Sequence, residues 1–189
     1  MEQLANSLTN RLLLRGYIDA DQTDWCRYML VCRGMNLLSL LLLIPAGALL
    51  AGWRVSLLYT ACFRFLRVRT GGYHAKTPRG CLFCSVCAQT AAFWAVRQTG
   101  SFFFWSAAML ASICVIFELA PANNAALHLS PAEMAALRPS IRARSAGLLL
   151  LGEGLLLFFG GALWGGCVAA ALAMDAVLLV LSACGLGVQ

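Results

Sequence analysis

A nucleophilic and a basic side chain lie close together in one short polar stretch of this sequence, residues 67–87, which reads RVRTGGYHAKTPRGCLFCSVC. Six residues separate His74 from Cys81. A histidine beside a cysteine can take the thiol proton and later protonate a leaving amine. The pair is therefore a candidate for nucleophilic catalysis. The alternative is a solvated histidine near an inert cysteine.

The local sequence predicts that Cys81 lies near the start of a helix. Thr77 can cap free backbone amides, and Pro78 suits the first helical position because its missing N–H is not needed there. Partial positive charge at a helix N-terminus favours a thiolate, and Lys76 and Arg79 add to that charge. Cys81 is accordingly the cysteine with the best surroundings for a nucleophile.

Three cysteines at three-residue steps allow a different interpretation of the same stretch. Cys81, Cys84 and Cys87 share one face of a helix and, with His74, could bind zinc or a metal cluster, or perform thiol redox chemistry. Ligands from one continuous helix suit tetrahedral coordination poorly. We therefore expect no metal and no cofactor, and we interpret Cys84 and Cys87 as packing residues.

The composition indicates that lipid surrounds most of the chain. The 189 residues are 61% hydrophobic and 12% charged, against about 45–50% and about 25% in soluble proteins. We expect an all-α, polytopic helical membrane protein without a cleaved signal peptide. Its uncharged runs predict six membrane-spanning helices, at 30–51, 53–68, 79–97, 99–119, 144–163 and 166–186.

We expect one membrane domain over residues 1–189, with an N-terminal arm, a catalytic loop and a second polar loop at 1–27, 64–80 and 120–144. Leu4, Leu8 and Leu12 recur near helical spacing, which predicts an amphipathic helix at the membrane interface. Twelve of the 14 lysines and arginines fall on one side of the six-span arrangement. Because positive residues mark the cytoplasmic side, the N-terminus and both loops are predicted to be cytoplasmic.

Two acidic residues within the predicted spans, Glu153 and Asp175, suggest an alternative function. Ionisable groups in a membrane are costly and often functional, so a small transporter or channel subunit could use them, or one of them could be a third catalytic residue. The two halves of the sequence do not repeat a broken-helix pattern, which argues against a transporter. Nothing indicates a nucleic-acid partner.

One motif resembles that of a known family. The pattern R-x4-G-x-H-A-x5-C, formed by Arg67, Gly72, His74, Ala75 and Cys81 between the second and third spans, resembles the accessory gene regulator B (AgrB) family. The length, the six-span hydropathy and the APANN segment after the fourth span are similar as well. Members are bacterial membrane cysteine endopeptidases of quorum sensing.

The resemblance implies a substrate and roles for particular residues. The substrate would be an AgrD-like pro-peptide, which loses its C-terminal tail and is closed into a thiolactone or lactone. Cys81 would be the nucleophile and His74 its base and acid, with Arg67 and Gly72 in support. Asn36 matches a position where relatives often carry Gln or Glu, and its amide could hydrogen-bond an intermediate.

The basic residues and the glycines suggest which partners the protein binds. Arg69, Lys76 and Arg79 are candidates for binding an acidic substrate tail, and the basic loops suit an anionic lipid leaflet. The resemblance also implies a homodimer in the bacterial inner membrane. The glycine-rich segment GGALWGG, residues 160–166, predicts a turn near Trp164 or a face on which helices pack closely.

Overall fold

Seven α-helices and one short 3-10 turn, with no strand, make up the part of the chain that the computed structural model describes, namely residues 2–73, 75, 77–123, 130–158 and 162–186. The all-α class is therefore confirmed. The helices are α1 Glu2–Leu14, α2 Thr23–Ala51, α3 Trp53–Thr70, α4 Pro78–Gln98, α5 Phe102–Leu119, α6 Pro131–Phe158 and α7 Ala162–Ala183, and the 3-10 turn is Ala20–Gln22.

The chain divides into two compact units, Met1–Leu42 and Leu43–Gln189. The first unit contains α1 and most of α2. On α1, Leu4, Leu8 and Leu14 are exposed, which is the arrangement that an interfacial helix needs in order to reach lipid. Membrane contact by this helix stays a prediction.

Four described helices are long and apolar enough to cross a membrane: Ala20–Ala51, Gly80–Gln98, Phe102–Leu119 and Leu163–Ala183. The other two expected spans are 53–68, which lies on α3, and 144–163, of which only residues 144–158 lie on α6. Residues 159–161 lie outside the described residues, and 162–163 begin α7. Arginines interrupt the apolar sequence of α3, and α6 carries Arg142, Arg144 and Glu153 in its apolar half. The charged residues of α3 and α6 therefore explain why the structure has four candidate membrane spans where the sequence predicted six.

Within the second unit, α7 is the central helix and contacts α3, α4, α5 and α6. Residues 165–172 are buried without interruption. This stretch, GGCVAAAL, consists mostly of small residues, which let helix backbones approach closely where lipid offers no hydrophobic driving force. The helix bundle is therefore organised around a helix of small side chains.

The structure decides between two interpretations of Gly165 and Gly166. The sequence suggested either a turn or a face on which helices pack closely, and the structure confirms the close packing. Both lie inside α7, where a side chain at Gly165 would overlap Leu156 and one at Gly166 would lie 3.2 Å from the Trp105 ring. Other helices of the same chain therefore cover these two glycines, which leaves them unable to support a dimer contact. The homodimer stays a prediction.

Candidate functional site

Helix α4 begins as the sequence predicts, at Pro78 with Thr77 as its N-cap. The Thr77 hydroxyl oxygen accepts a hydrogen bond from the Gly80 amide at 3.1 Å, and the Thr77 carbonyl accepts one from the Cys81 amide at 3.0 Å. Cys81 therefore lies at the start of α4. Its side chain is half-buried, so the thiol can be reached and is also in contact with the protein.

Arg67, near the end of α3, connects this cysteine to the polypeptide that precedes His74. Its guanidinium donates hydrogen bonds to the carbonyl oxygens of Gly71 and Tyr73. Cys81 is near enough to the same guanidinium to be influenced by its charge, more weakly than Asp175 is. Arg67 is therefore close both to the candidate nucleophile and to the backbone before His74.

Asp175 on α7 completes the charge balance around Arg67. Its side chain is fully buried, that of Arg67 is 15% exposed, and the closest nitrogen and oxygen of the pair are 4.0 Å apart. The Thr70 hydroxyl donates to Oδ1 of Asp175 at 3.0 Å. Among the described residues, nothing hydrogen-bonds the other carboxylate oxygen.

Sequence reasoning considered Asp175 for transport or as a third catalytic residue, and it did not single out Thr70. A charged side chain in an apolar segment is expected to pair with another charged or polar group, and this holds for both the arginine and the aspartate. The sequence alone does not say which arginine pairs with which acid.

The segment between α3 and α4 is held by main-chain hydrogen bonds as well. The Tyr73 amide donates to the Leu178 carbonyl on α7 at 3.0 Å, and the Ala122 amide donates to the Thr70 carbonyl at 2.8 Å. Gly72 is buried between these contacts. Residues 70–73 are therefore tied to α7 and to the segment that follows α5.

Comparison with protein families identifies the chain. The family model described as accessory gene regulator B matches residues 1–181. The chain belongs to the accessory gene regulator B family. Together with the four apolar helices of membrane-spanning length, membership makes it a membrane protein of the accessory gene regulator system, which is a quorum-sensing system. The comparisons with curated proteins and with solved structures give no match.

The remaining AgrB-type site residues are only partly within the described structure. His74 and Lys76 lie outside the described residues, as does the side chain of Arg79. Asn36 is exposed on α2 in the first unit, and its contribution to catalysis stays a prediction. The His74–Cys81 pairing likewise stays a prediction.

Arg69 lines a pocket of about 340 Å3 on the second unit. A second arginine, Arg144, lies in the same wall, and its guanidinium stacks on the Phe65 ring and donates to the Phe65 carbonyl oxygen at 2.6 Å. Gly71 also lines the pocket, which therefore adjoins the turn held by Arg67. The other lining residues are Val68, Pro121, Ala122 and Leu137.

The cysteines offer little support for a metal site in the described part of the chain. Cys84 and Cys87 are on the same continuous helix as Cys81, and both are exposed, so the expectation that they pack within the protein is wrong. Every cysteine whose side chain is described is a free thiol. Among the described residues, no three His, Cys, Asp or Glu side chains are grouped so that they could hold a metal ion.

Glu153, the other acid considered for transport, has a separate environment. It accepts a hydrogen bond from the Ser106 hydroxyl at 2.8 Å, which links α6 to α5. Asp175 is joined instead to α3, through Arg67 and Thr70. The two acids therefore belong to different helix contacts, and Glu153 offers a natural comparison for Asp175.

Gly72→Ala should destabilise the turn that Arg67 holds. A Cβ at this position would overlap the Arg67 guanidinium and lie 3.2 Å from the Leu178 carbonyl oxygen, and the φ of 110° is one that L residues rarely adopt. We expect the free energy of unfolding in detergent to fall by about 1–3 kcal/mol. Denaturant titration of the purified protein measures this change.

The matched control is Gly52→Ala, which has a φ of 86° and no atom within 4 Å of the added Cβ. An alanine at this position also has an unfavourable positive φ but overlaps no atom, so this variant should lose less stability than Gly72→Ala. Equal losses for the two variants would mean that the contact between Gly72 and Arg67 contributes nothing.

Proposed function

We propose that this protein is a membrane cysteine endopeptidase that removes the C-terminal tail of an AgrD-like pro-peptide and closes the remainder into a thiolactone or lactone. The observation that carries the proposal is the surroundings of Cys81. It lies at the N-terminus of α4 and near Arg67, whose guanidinium donates a hydrogen bond to the carbonyl of Tyr73, the residue directly before His74.

The first half of the reaction is an acyl transfer to the enzyme. The Cys81 thiolate attacks the scissile carbonyl carbon of the pro-peptide, and a C–S bond forms. The tetrahedral intermediate then collapses as the C–N bond breaks. His74 supplies the proton that the departing amine of the tail needs. A thioester between the pro-peptide and Cys81 remains.

The second half closes the ring. A cysteine thiol or serine hydroxyl of the same pro-peptide attacks the thioester carbonyl and gives its proton to His74. The bond to Cys81 breaks, and the thiolate is regenerated. A thioester and a thiolactone are similar in free energy, so the cyclisation needs no ATP. Water would hydrolyse the thioester, and a site at a membrane boundary limits its access.

Arg67 is suited to an electrostatic part in both halves. The amides of Gly80 and Cys81 already bond to Thr77, so neither is free to stabilise an oxyanion. The guanidinium near Cys81 supplies positive charge without competing for those amides. In a site of low dielectric, such charge stabilises both the thiolate and the tetrahedral intermediate.

Cys81→Ala tests the reaction directly. With the purified protein in lipid vesicles and a synthetic AgrD-type pro-peptide, intact-mass measurement should find an acyl adduct on the wild type and none on the variant. Tail release should stop as well. His74→Ala should slow tail release by about 100-fold or more, because general acid–base catalysis contributes at least about that factor.

The matched controls are Cys84→Ala and Cys87→Ala, which remove exposed thiols from the same helix. Both should keep the adduct and the cleavage rate. An adduct that survives in Cys81→Ala would refute the mechanism. Loss of activity in either control would instead favour a site built from several cysteines.

Arg69, Lys76 and Arg79 are proposed to bind anionic groups of the pro-peptide tail. The pocket that Arg69 and Arg144 share supports this role, because it combines two cations with an apolar wall. Arg69→Glu should raise KM for a pro-peptide with an acidic tail by about tenfold, which corresponds to about 1.4 kcal/mol. Since the contact is remote from the reacting bond, kcat should change little.

Steady-state cleavage rates at low ionic strength measure this effect, which added salt should weaken. Arg54→Glu is the control, since it reverses a charge at the opposite end of α3. An equal rise in KM for both variants would show that net charge, rather than the pocket, attracts the substrate.

We also propose that the protein lies in the bacterial inner membrane with its N-terminus and residues 64–80 in the cytoplasm, because charge is so unevenly distributed along the chain. A biotin-acceptor peptide inserted after Lys76 should be labelled by a cytoplasmic biotin ligase. The same insertion at Gly52, on the connection between α2 and α3, should not. Labelling at Gly52 alone would reverse the topology.

A further inference from the structure

We propose that Asp175 is a positioning residue of the acyl-transfer site. Its carboxylate orients Arg67, and Arg67 in turn fixes the backbone of residues 71–73, which leads directly into His74. This inference rests on the proposed function and deepens it. It adds a residue from α7 to a site whose motif residues all come from α3, α4 and the segment between them.

The environment of Asp175 makes its pairing with Arg67 a strong constraint. The carboxylate is fully buried, and the guanidinium is its only ion-pair partner among the described residues. An unpaired charge in such a place is costly. Thr70 donates to the same carboxylate oxygen from the turn of helix after Arg67. Two residues of α3 are therefore held by one side chain of α7.

Arg67 transmits this constraint to the loop. A guanidinium is planar and carries its five N–H donors in a fixed arrangement, so its orientation decides which acceptors it can bond. Facing Asp175, it donates to the carbonyl oxygens of Gly71 and Tyr73. Gly72 has no side chain to prevent this approach. Removing the carboxylate's charge would leave the guanidinium free to turn towards other acceptors.

Helix α7 also holds the same segment through its main chain. The carbonyl of Leu178, three residues after Asp175, accepts the Tyr73 amide hydrogen bond at 3.0 Å. Tyr73 is therefore bonded at its amide by α7 directly, and at its carbonyl by Arg67, which α7 orients. The position of this residue, and so the starting point of His74, depends on α7 in two ways.

A buried positioning residue should affect the chemical step rather than substrate binding. Asp175 is fully buried, so a pro-peptide arriving from outside does not touch it. A small displacement of a catalytic group can cost about 100-fold in rate. We therefore expect the loss in kcat and not in KM.

Asp175→Asn is the decisive variant, assayed with the full-length protein in lipid vesicles and a synthetic AgrD-type pro-peptide. Asparagine keeps the size and the oxygen that accepts from Thr70, and it removes only the charge. We expect kcat to fall by about 100-fold, with KM changed by no more than about twofold. Asp175→Glu should recover part of the rate, because it restores the charge.

Glu153→Gln is the matched control, since it neutralises an acid that is hydrogen-bonded to Ser106, where α6 contacts α5. It should cleave at the wild-type rate. The double variant Arg67→Gln with Asp175→Asn should be no slower than Arg67→Gln alone, because both residues act through one interaction. Additive losses, or a loss confined to KM, would overturn the inference.

Amide hydrogen exchange supplies a readout that does not need activity. Peptides covering residues 68–73 should exchange faster in Asp175→Asn and unchanged in Glu153→Gln. Faster exchange throughout the protein would mean general destabilisation and would overturn the positioning role. If the wild type forms no acyl adduct, the proposed function fails, and exchange in 68–73 still decides whether Asp175 positions the turn.

Discussion

The need to neutralise a buried charge governs how the second unit is built. Asp175 carries a carboxylate into the most buried helix of an apolar protein, and Arg67 is the cation that meets it. Because an unpaired ion would be expensive there, the pair favours the register of α3 and α7 that brings the two side chains together. Thr70 reinforces that register from the last turn of α3. The turn after α3 then takes its shape from the remaining donors of the same guanidinium.

The packing of α7 makes this register possible. Its buried residues are mostly small from Gly165 to Leu172, and four other helices pack against them. Close backbone approach through small side chains gives dense van der Waals contact, which is the main attraction between helices in lipid. A helix held on four sides has little freedom to rotate or slide. It is therefore a suitable support for a carboxylate whose effect depends on direction.

The candidate site contains a buried charge pair and a more accessible thiol. The charge pair that maintains geometry is enclosed, whereas Cys81 is only half-buried at the end of α4. An amphipathic pro-peptide at the membrane surface could reach such a thiol without crossing the bundle. The arginine pocket lined by Arg69 and Arg144 adjoins the same turn through Gly71. The residues proposed to contact the substrate are therefore different from the buried pair proposed to support the geometry of the site.

Local features of the sequence predicted much of this. Apolar composition predicted the all-α membrane class, and the Thr77–Pro78 pair predicted the start of α4 and hence the place of Cys81. Such signals succeed because helix capping and lipid exposure depend on neighbouring residues. For Gly165 and Gly166 the sequence left a turn and a close helix contact open, since a glycine fits both, and the structure shows the helix contact.

What the sequence by itself determined is the class of protein, the helix that carries the candidate nucleophile and the family motif around it. Only the tertiary structure shows that Asp175 pairs with Arg67 of that motif, and that Glu153 is hydrogen-bonded to Ser106 instead. Thr70 and Asp175 are 105 positions apart, and no local preference relates residues at that distance. Their contact arises from the way α7 packs among its neighbours, and packing is a property of the whole bundle.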